Sequence, residues 1–503
     1  MVSRAYTVAF EGIDARVVEV QCSLSPGIPN FSIVGLPNKS VSEARERVRA
    51  ALGALSIGLP AKRITINLSP ADLPKEGSHY DLPIALSLLG AIGAIDSSEL
   101  DKILSLGELF LDGRLVAVSG ALPAAMAAAE RSLDLICPQE CGHEAAWVGG
   151  TRILAPESLL AIVQHFKGHR PLAAAQPKEI TDSAAHNDLQ DVKGQERAKR
   201  ALEIAAARRH HLLMVGPPGS GKSMLAARMA GLLPDLKPHE ALETSMVHSI
   251  SGLLENHGIT RTRPFRAPHH TASMAAIVGG GRGAKPGEIS LAHNGVLFMD
   301  EFPEYARTVL ETLRQPIEEG HVTVARANAH VRYPSRFLLI AAANPCRCGH
   351  MTDASKACGR APICGADYLG RISGPLLDRF DLRIEIPPVS FTDLQTARLG
   401  EPSAAVRARV AAARALQEKR FTSHSDILQN ADAEGKLLDA IAPLNSESKN
   451  YLSRAADKFG LSARGYHRVL RVARTIADLA AQEHIYRDHI AEAVSFRLIN
   501  ARG

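Results

Sequence analysis

One segment constrains the fold of this chain more than any other, the octapeptide GPPGSGKS at residues 216–223. It follows an apolar run, HLLMV, and precedes a helical pattern, MLAARMAGLL. In a strand–loop–helix unit, glycines let backbone N–H groups wrap phosphate oxygens, and the helix N-terminus adds its positive dipole end. A chance glycine-rich turn would not need both flanking elements, so the segment predicts a phosphate loop on a parallel α/β sheet. The phosphate loop consists of Gly216, Pro217, Pro218, Gly219, Ser220, Gly221, Lys222 and Ser223.

Two further apolar strands end in polar side chains that suit nucleotide chemistry. Val296–Met299 is followed by Asp300 and Glu301, and Phe337–Ala342 leads to Asn344. Lys222 is expected to reach the β- and γ-phosphates, while Ser223 and Asp300 hold Mg²⁺. Glu301 is expected to polarise the attacking water, and Asn344 to orient it. Solvated acids at a strand end are the alternative for the first pair, and an ordinary turn is the alternative for Asn344.

Two arginine-containing segments follow downstream. Arg379 lies in LLDRFD, where its guanidinium could offset charge on a transferred phosphoryl group, or simply pair with a neighbouring aspartate. Arg464, Arg468 and Arg471 recur at i, i+4 and i+7, which places them on one helix face. That face is either a solvated basic surface or the source of a second nucleotide-sensing arginine, Arg464.

The chain is long enough for several domains, since it has 503 residues. Residues 1–168 alternate short strands and helices, and 169–190 have the composition of a linker. Residues 191–390 contain buried-strand patterns typical of a parallel sheet, and 391–503 are dominated by helical periodicity. Predicted strands are Tyr6–Phe10, Val17–Cys22, Phe31–Val34, Ile64–Leu68 and Leu212–Val215. Predicted helices are Val41–Leu55, Leu82–Ile92 and Ala121–Glu130.

Composition excludes some classes of protein. Hydrophobic residues make up 46% of the chain, enough to build packed cores, which argues against general disorder. No apolar stretch reaches the roughly 20 residues of a membrane span. The first residues also lack the layout of a signal peptide, so a cytoplasmic location without membrane partners is expected. Aromatic residues are only 4% and the net charge is +5, which by itself identifies no partner.

Four of the seven cysteines are close together in the sequence, in an insertion that spans 346–364. Four thiolates can bind one tetrahedral Zn²⁺ in a reducing compartment, and a metal could order a segment with few apolar residues. The spacing C-x-C-x9-C-x5-C is less diagnostic than paired C-x-x-C units, and unligated thiols are the alternative. The candidate ligands are Cys346, Cys348, Cys358 and Cys364.

These motifs, in this order, resemble those of AAA+ ATPases. Four further strings narrow the resemblance: DVKGQERAKRAL at 191–202, RPFRAPHHTAS at 263–273, KPGEISLAHNG at 285–295 and SGPLLDRFDL at 373–382. Together they are similar to the magnesium-chelatase-like clade, and specifically to its ComM/YifB subfamily. The resemblance covers essentially the whole chain and is most specific in 191–382.

The resemblance implies a homo-oligomeric ring, usually a hexamer, with ATP and Mg²⁺ between neighbouring subunits. Members of the subfamily are implicated in natural transformation as helicases that drive branch migration of recombining DNA. By position, the phosphate loop matches Walker A, and Asp300 with Glu301 matches Walker B. Asn344 matches sensor 1, Arg379 the finger that acts on the neighbouring subunit, and Arg464 the sensor 2 arginine. Gln195 matches the segment that lines the adenine.

The N-terminal domain resembles the Lon protease domain (a ribosomal S5 domain 2-like α/β fold), on the strings at 70–88 and 107–123. Lon uses a serine activated by a lysine. Aligned on these strings, His79 stands at the nucleophile position and Leu122 at the lysine position, and Ser78 is displaced by one residue. We therefore expect no protease activity, and a role in ring assembly, DNA contact or scaffolding. The C-terminal region is expected to form an α-helical lid.

A ring that moves along DNA needs basic loops facing its channel. Phosphate contacts supply affinity and salt dependence but little sequence reading, so recognition would not be sequence-specific. Solvated surface charge is the alternative for each residue. The candidates are Arg263, Arg266, His269 and His270 in one segment, and Arg326, Asn328 and Arg332 in a predicted hairpin at 320–335.

Two rival functions remain open from the sequence. The chain could be the ATPase subunit of a metal chelatase, which inserts magnesium into a porphyrin. It could also be a non-enzymatic switch that binds ATP to assemble partners. A Lon-like domain favours the DNA motor over the chelatase, and the presence of both Glu301 and Arg379 argues against the switch.

Overall fold

The computed structural model describes residues 2–178, 187–254, 258–281, 284–326, 329–351, 357–388, 400–422, 430, 433 and 435–497. The strands are Val2–Glu11, Asp14–Ser25, Asn30–Val34, Arg63–Ser69, Ile103–Ser105, Glu108–Leu109, Leu115–Val116, Asp134–Ile136, Ile153–Leu154, Leu212–Val215, Phe265–Arg266, Gly279–Gly280, Lys285–Pro286, Val296–Met299, His321–Arg326, Ala329–Pro334, Leu338–Ala343 and Leu382–Glu385. The α-helices are Lys39–Ala54, Asp81–Ala91, Ser97–Leu100, Ala121–Glu130, Gln139–Ala145, Leu159–Phe166, Glu196–Arg208, Lys222–Ala227, Met229–Leu232, Pro238–Ser251, Met274–Val278, Glu288–Leu291, Arg307–Thr312, Arg314–Glu319, Ile363–Leu369, Gly374–Leu377, Ser403–Phe421, Gly435–Ile441, Ser446–Phe459, Ala463–Leu479 and Arg487–Ser495. Short 3₁₀ turns occupy Ala146–Val148, Leu189–Asp191 and Phe302–Glu304.

The N-terminal part is built on a mixed seven-stranded sheet. Its centre is an antiparallel hairpin of Val2–Glu11 and Asp14–Ser25, longer than the sequence pattern predicted. The hairpin turns at Gly12, whose φ of +69° suits glycine. Helix Asp81–Ala91 is buried along its whole length against this hairpin, which explains its almost uninterrupted apolar sequence. The predicted α/β class of this region is confirmed.

A second sheet, of five parallel strands, carries the phosphate loop. The order across the sheet is Phe265–Arg266, Val296–Met299, Leu338–Ala343, Leu212–Val215 and Leu382–Glu385. The three central strands are buried, because helices cover both faces of the sheet. Their carboxyl ends therefore meet at one edge, where parallel α/β sheets place their ligands.

Helices dominate the described residues between 400 and 497, which we call the helical region. Its central helix, Ala463–Leu479, contacts Glu196–Arg208 and Ser403–Phe421. One apolar cluster joins Ile476 of this helix to Leu202 and to Ile340 of the parallel sheet. The helical region thus shares a core with the sheet domain, and the predicted α-helical C-terminal region is confirmed.

The N-terminal domain contacts the sheet domain through two helices, Ala121–Glu130 and Pro238–Ser251. The Ser249 carbonyl accepts a hydrogen bond from the Gly120 N–H at 3.2 Å, and its hydroxyl bonds to Glu144. At 169–190, the Ala175 N–H bonds to Ile153 at the edge of the seven-stranded sheet. Within the described ranges, no helix combines the length and the apolarity needed to cross a bilayer.

Candidate nucleotide site

The phosphate loop joins the buried strand Leu212–Val215 to helix Lys222–Ala227. Gly219 and Gly221 adopt φ values of +77° and +89°, which side-chain-bearing residues rarely adopt. These two positions explain why the loop needs glycine, since they turn the backbone so that the next helix begins at Lys222. The loop therefore has the strand–turn–helix context that the sequence predicted.

Lys222 connects the loop to the neighbouring strand. Its Nζ donates hydrogen bonds to the Gly216 and Pro217 carbonyls at 2.7 and 2.9 Å, and to Oδ1 of Asn344 at 3.2 Å. Burial lowers the pKa of Lys222, and the negative charges of Asp300 and Glu301 oppose that shift. The structure thus brings the predicted lysine, sensor asparagine and acids to one place.

Ser223 and Asp300 meet directly across two elements. The serine Oγ donates to Oδ2 of Asp300 at 2.6 Å. A hydroxyl and a carboxylate are the hard oxygen donors that Mg²⁺ prefers. Residues 77 positions apart in sequence therefore form the pair that the motifs predicted for a magnesium ion.

Glu301 follows Asp300 in a left-handed backbone conformation, with φ of +50°. This conformation is costly for a non-glycine residue and is commonly found at functional sites. Nδ1 of His270 lies 3.0 Å from Oε2 of Glu301, whose side chain is about half exposed. Sequence reasoning had placed His270 only among candidate DNA contacts. The adjacency of strands Phe265–Arg266 and Val296–Met299 explains why the two side chains meet.

Gln195 lies just before helix Glu196–Arg208, also with a positive φ of +58°. Its side-chain amide donates to the Pro387 carbonyl at 2.8 Å, beyond the last strand of the parallel sheet. This contact ties the predicted adenine-side segment to the sheet. The adenine-binding role of Gln195 stays a prediction.

The Arg379 guanidinium is paired inside the protein and is not free in solvent. It is 6% exposed, its Nη1 donates to the Pro375 carbonyl at 2.7 Å, and its Nη2 lies 2.5 Å from Glu318. The sequence also allowed the Arg379 guanidinium to pair with Asp378 or Asp381. That alternative is wrong, because the guanidinium pairs with Glu318, over 60 residues upstream. A role on a neighbouring subunit would require Arg379 to leave Glu318.

The three arginines of helix Ala463–Leu479 differ in environment. Arg464 is exposed in the first turn, beside the helix cap Ser462, whose hydroxyl lies 3.5 Å from Asp378. Arg468 and Arg471 are bonded inside the protein, so the solvated basic face considered from the sequence is wrong for these two. Arg464 therefore lies close to the segment that contains Arg379.

The predicted DNA contacts separate into two groups. Arg263 is buried and ion-paired with Glu240, while Arg266 forms a two-pronged pair with Glu288. Both guanidiniums are already paired, so a contact with DNA phosphates would require each arginine to leave its carboxylate, and the DNA-binding role of Arg263 and Arg266 stays a prediction. Arg332 is exposed on the hairpin and donates to His321 at 2.8 Å. The side chain of Arg326 lies outside the described residues.

The cysteine insertion packs against the phosphate loop. A Cβ added to Gly349 would lie 2.5 Å from Pro218, so only glycine permits this approach. The thiols meet in pairs, Cys346 with Cys348 at 3.1 Å and Cys358 with Cys364 at 3.3 Å. Among the residues that the structure describes, no group of three or more His, Cys, Asp or Glu side chains could hold a metal ion. The predicted Zn²⁺ site is therefore not supported.

Cys348 is expected to be the thiol most reactive towards iodoacetamide. It is exposed, and hydrogen bonds from the His350 backbone and the Cys346 thiol lower its pKa to about 7. Burial raises the pKa of Cys22 and Cys141 to about 12. Because the thiolate is the nucleophile, labelling of Cys348 should rise from about pH 6 and level off near about pH 8. Peptide mapping by mass spectrometry checks this order, and earlier labelling of Cys22 would contradict it.

The N-terminal domain places its Lon-like positions in a packed interior. His79 is buried, burial lowers its pKa to about 4, and its Nε2 lies 2.9 Å from the Val8 carbonyl. Leu122 is fully buried, and Ser78 donates to the Glu108 carboxylate. A cleft of about 1310 Å³ lies beside Ser78 and extends to the sheet domain. The absence of protease activity stays a prediction.

Comparison with known families gives matches over most of the chain. The family described as magnesium chelatase, subunit ChlI, matches residues 188–394. The family described as subunit ChlI of Mg-chelatase matches 18–141, and the ChlI C-terminal family matches 400–497. The matches thus include both α/β regions and the helical region.

Individual relatives fall into two groups. The competence protein ComM of Haemophilus influenzae is 46% identical, over 98% of this chain and 96% of that protein. The uncharacterized protein YifB of Escherichia coli is 44% identical, over 99% and 97%. The magnesium-chelatase 38 kDa subunit of Rhodobacter capsulatus is 26% identical, over 40% of this chain and 56% of that protein. The first two cover the N-terminal domain as well as the phosphate-loop domain.

Proposed function

Because this chain belongs to the ComM/YifB subfamily of magnesium-chelatase-like AAA+ ATPases, we propose that it is a hexameric motor that hydrolyses ATP to drive branch migration of recombining DNA. The setting would be natural transformation, in the cytoplasm. One observation carries the proposal: the likeness to ComM extends over 98% of the chain, whereas that to a chelatase subunit extends over 40%. The subfamily, rather than the nucleotide site alone, therefore favours DNA as the partner.

The arrangement of side chains supports hydrolysis. Lys222 holds the triphosphate, and Glu301 accepts the proton of the water that attacks the γ-phosphorus. The bond between the γ-phosphorus and the bridging oxygen breaks, giving ADP and phosphate. Asn344, which already bonds Lys222, orients the water. Bound Mg²⁺, held by Ser223 and Asp300, would neutralise charge on the phosphate oxygens.

The finger in this proposal is Arg379, which acts on ATP bound to the adjacent subunit. Transfer of a phosphoryl group spreads charge over its equatorial oxygens, and a forked guanidinium suits them. Glu318 is half exposed, so giving up its partner leaves a carboxylate that water can solvate. Arg464, two residues after Ser462 in the same helix turn, is proposed as the second sensor of the nucleotide.

The hairpin of His321–Arg326 and Ala329–Pro334 is the element that we propose to contact DNA. Arg332 is exposed there, and the Arg332 carbonyl lies close to Gly12 in the turn of the N-terminal hairpin. This contact supports a channel-facing surface formed by both domains. Contacts of this kind bind phosphates and predict affinity that falls with salt but not with base sequence.

The test is ATP hydrolysis with and without DNA, followed by movement of a synthetic four-way junction. We expect DNA to stimulate hydrolysis, and Lys222→Ala to reduce both activities by about 10²-fold or more, because a charged donor to the phosphates is lost. Lys237→Ala is the matched control, since that exposed lysine forms an ion pair with the surface residue Glu418. Hydrolysis that ignores DNA, with no junction movement, would contradict the proposal and favour a chelatase motor.

A further inference from the structure

The segment that carries Arg379 is held by the helical region. Residues 378–381 connect helix Gly374–Leu377 to strand Leu382–Glu385, and they adopt no regular structure. The N–H groups of Asp378, Arg379 and Phe380 donate to carbonyls of helix Gly374–Leu377, and the Asp381 N–H donates to the His211 carbonyl. The helical region, at the other end of the sequence, adds hydrogen bonds to two carbonyls of the same segment.

Two arginines of the helical region donate hydrogen bonds to the backbone at the finger and at the residue after it. Nη1 of Arg468 donates to the Arg379 carbonyl at 3.0 Å. Nη1 of Arg497 donates to the Phe380 carbonyl at 3.1 Å, and its Nη2 donates to Asp378 at 3.0 Å. We call Arg468 and Arg497 the helical clamp. Its two guanidiniums bond two consecutive peptide carbonyls, the first of which belongs to the finger itself.

The clamp is itself immobilised by burial and charge. Nη1 of Arg468 also donates to Asp381 at 2.6 Å, and the Asp381 side chain is only 4% exposed. Arg497 is 7% exposed and follows the last described helix, whose C-cap Phe496 accepts a hydrogen bond from the Arg383 N–H at 2.5 Å. Ion pairs at this depth are not screened as surface pairs are. These contacts therefore couple the position of the helical region to that of the segment that carries Arg379.

We propose that Arg468 and Arg497 are positioning residues for the finger, so that the helical region of one subunit controls hydrolysis in the site of the adjacent subunit. The inference rests on the proposed function, because it requires Arg379 to act in the neighbouring site. Both clamp guanidiniums donate to backbone carbonyls and carboxylates of residues 378–381. The clamp sets where the Arg379 backbone lies, and a displacement of about 1 Å at a positioning group can cost about 10²-fold in rate.

The direct test is Arg497→Met, which keeps the apolar length of the side chain and removes its hydrogen bonds. We expect kcat to fall about 10- to 10²-fold while nucleotide affinity stays at the wild-type value, because the phosphate loop is intact. Arg487→Met is the matched control, since Arg487 is exposed in the adjacent helix and pairs with exposed Glu447. Arg497→Lys keeps the charge, but an ammonium cannot bond both the Phe380 carbonyl and Asp378. It is the variant to measure if Arg497→Met fails to fold.

Subunit mixing separates an effect on the neighbour from an effect on the same subunit. Glu301→Gln subunits cannot activate water but retain finger and clamp. Mixed with Arg497→Met subunits, they should restore hydrolysis, because about a quarter of the junctions in a random ring then pair an intact site with an intact finger. An Arg379→Ala and Glu301→Gln mixture is the reference and should also regain activity.

The outcomes distinguish the clamp from the finger. If the Arg379→Ala mixture regains activity and the Arg497→Met mixture does not, Arg497 acts in its own site and the clamp is wrong. If neither mixture regains activity, the neighbouring-site role of Arg379 fails and the clamp fails with it. Wild-type kcat for Arg497→Met would also overturn the inference.

Discussion

Replacement of Arg379 by Ala is expected to reduce kcat about 10³-fold while nucleotide binding stays intact. An arginine that neutralises charge on the transferred phosphoryl group contributes about 10³- to 10⁵-fold. The phosphates of bound ATP are held by the phosphate loop of the other subunit, so affinity should not change. Steady-state hydrolysis and titration with a fluorescent nucleotide measure the two quantities separately. Arg379→Lys should recover little activity, because an ammonium lacks the planar fork.

Arg371→Ala is the control for this change. Arg371 lies eight residues upstream and pairs at 2.9 Å with Glu304, and its side chain is about half exposed. Removal of a surface pair of this kind has a small effect. Hydrolysis by Arg379→Ala at the wild-type rate would show that the guanidinium serves only its pair with Glu318. Equal losses in both variants would point to a general structural effect.

The largest expected loss of stability follows replacement of Asp381 by Ala. Asp381 is 3% exposed and accepts hydrogen bonds from Arg468 at 2.6 Å and from His210 at 3.3 Å. Its loss leaves the Arg468 guanidinium, which is 15% exposed, without its carboxylate, and such a loss costs about 3–5 kcal/mol in comparable buried pairs. That is a large fraction of the stability of an ordinary domain. Scanning calorimetry should show a much lower unfolding temperature.

Asp235→Ala is the matched control, because its pair with Arg407 also joins the sheet domain to the helical region but is exposed. Its unfolding temperature should stay near wild type, and an equal loss in both variants would contradict the role of burial. Burial alone would raise the pKa of Asp381, but Arg468 and His210 outweigh it and hold that pKa well below its usual range. The folded-state pKa is thus lower than the unfolded one. The stabilisation is therefore present above the unfolded pKa and is lost as pH falls through the folded pKa.

Local patterns predicted the elements that carry the nucleotide chemistry. Leu212–Val215 and Val296–Met299 have the predicted bounds, and the hairpin at 320–335 is confirmed. These predictions succeeded because each depends on residues a few positions apart: an apolar run long enough for a buried strand, then glycines or acids at its end. The short strands Phe265–Arg266 and Leu382–Glu385, which are not continuous apolar runs, were missed. A run that short carries no periodicity.

The burial and the ion-pair partners of individual arginines could not be predicted in the same way. Arg263 and Arg332 both lie in basic, turn-rich strings, yet one is buried against Glu240 and the other is exposed. Which carboxylate approaches a guanidinium depends on how distant segments pack. Neither the composition of a segment nor the spacing of its residues encodes which carboxylate will lie beside a given guanidinium.

By itself, then, the sequence determined the phosphate loop, its two acids and the order of these motifs along the chain, because backbone conformation and side-chain type act within one strand–turn–helix unit. Only the tertiary structure decided that His270 faces Glu301, that Glu318 holds Arg379, and that Arg468 and Arg497 grip the finger segment. These contacts join residues 31 to 119 positions apart. They exist only after burial has brought the charges together and has made leaving any of them unpaired costly.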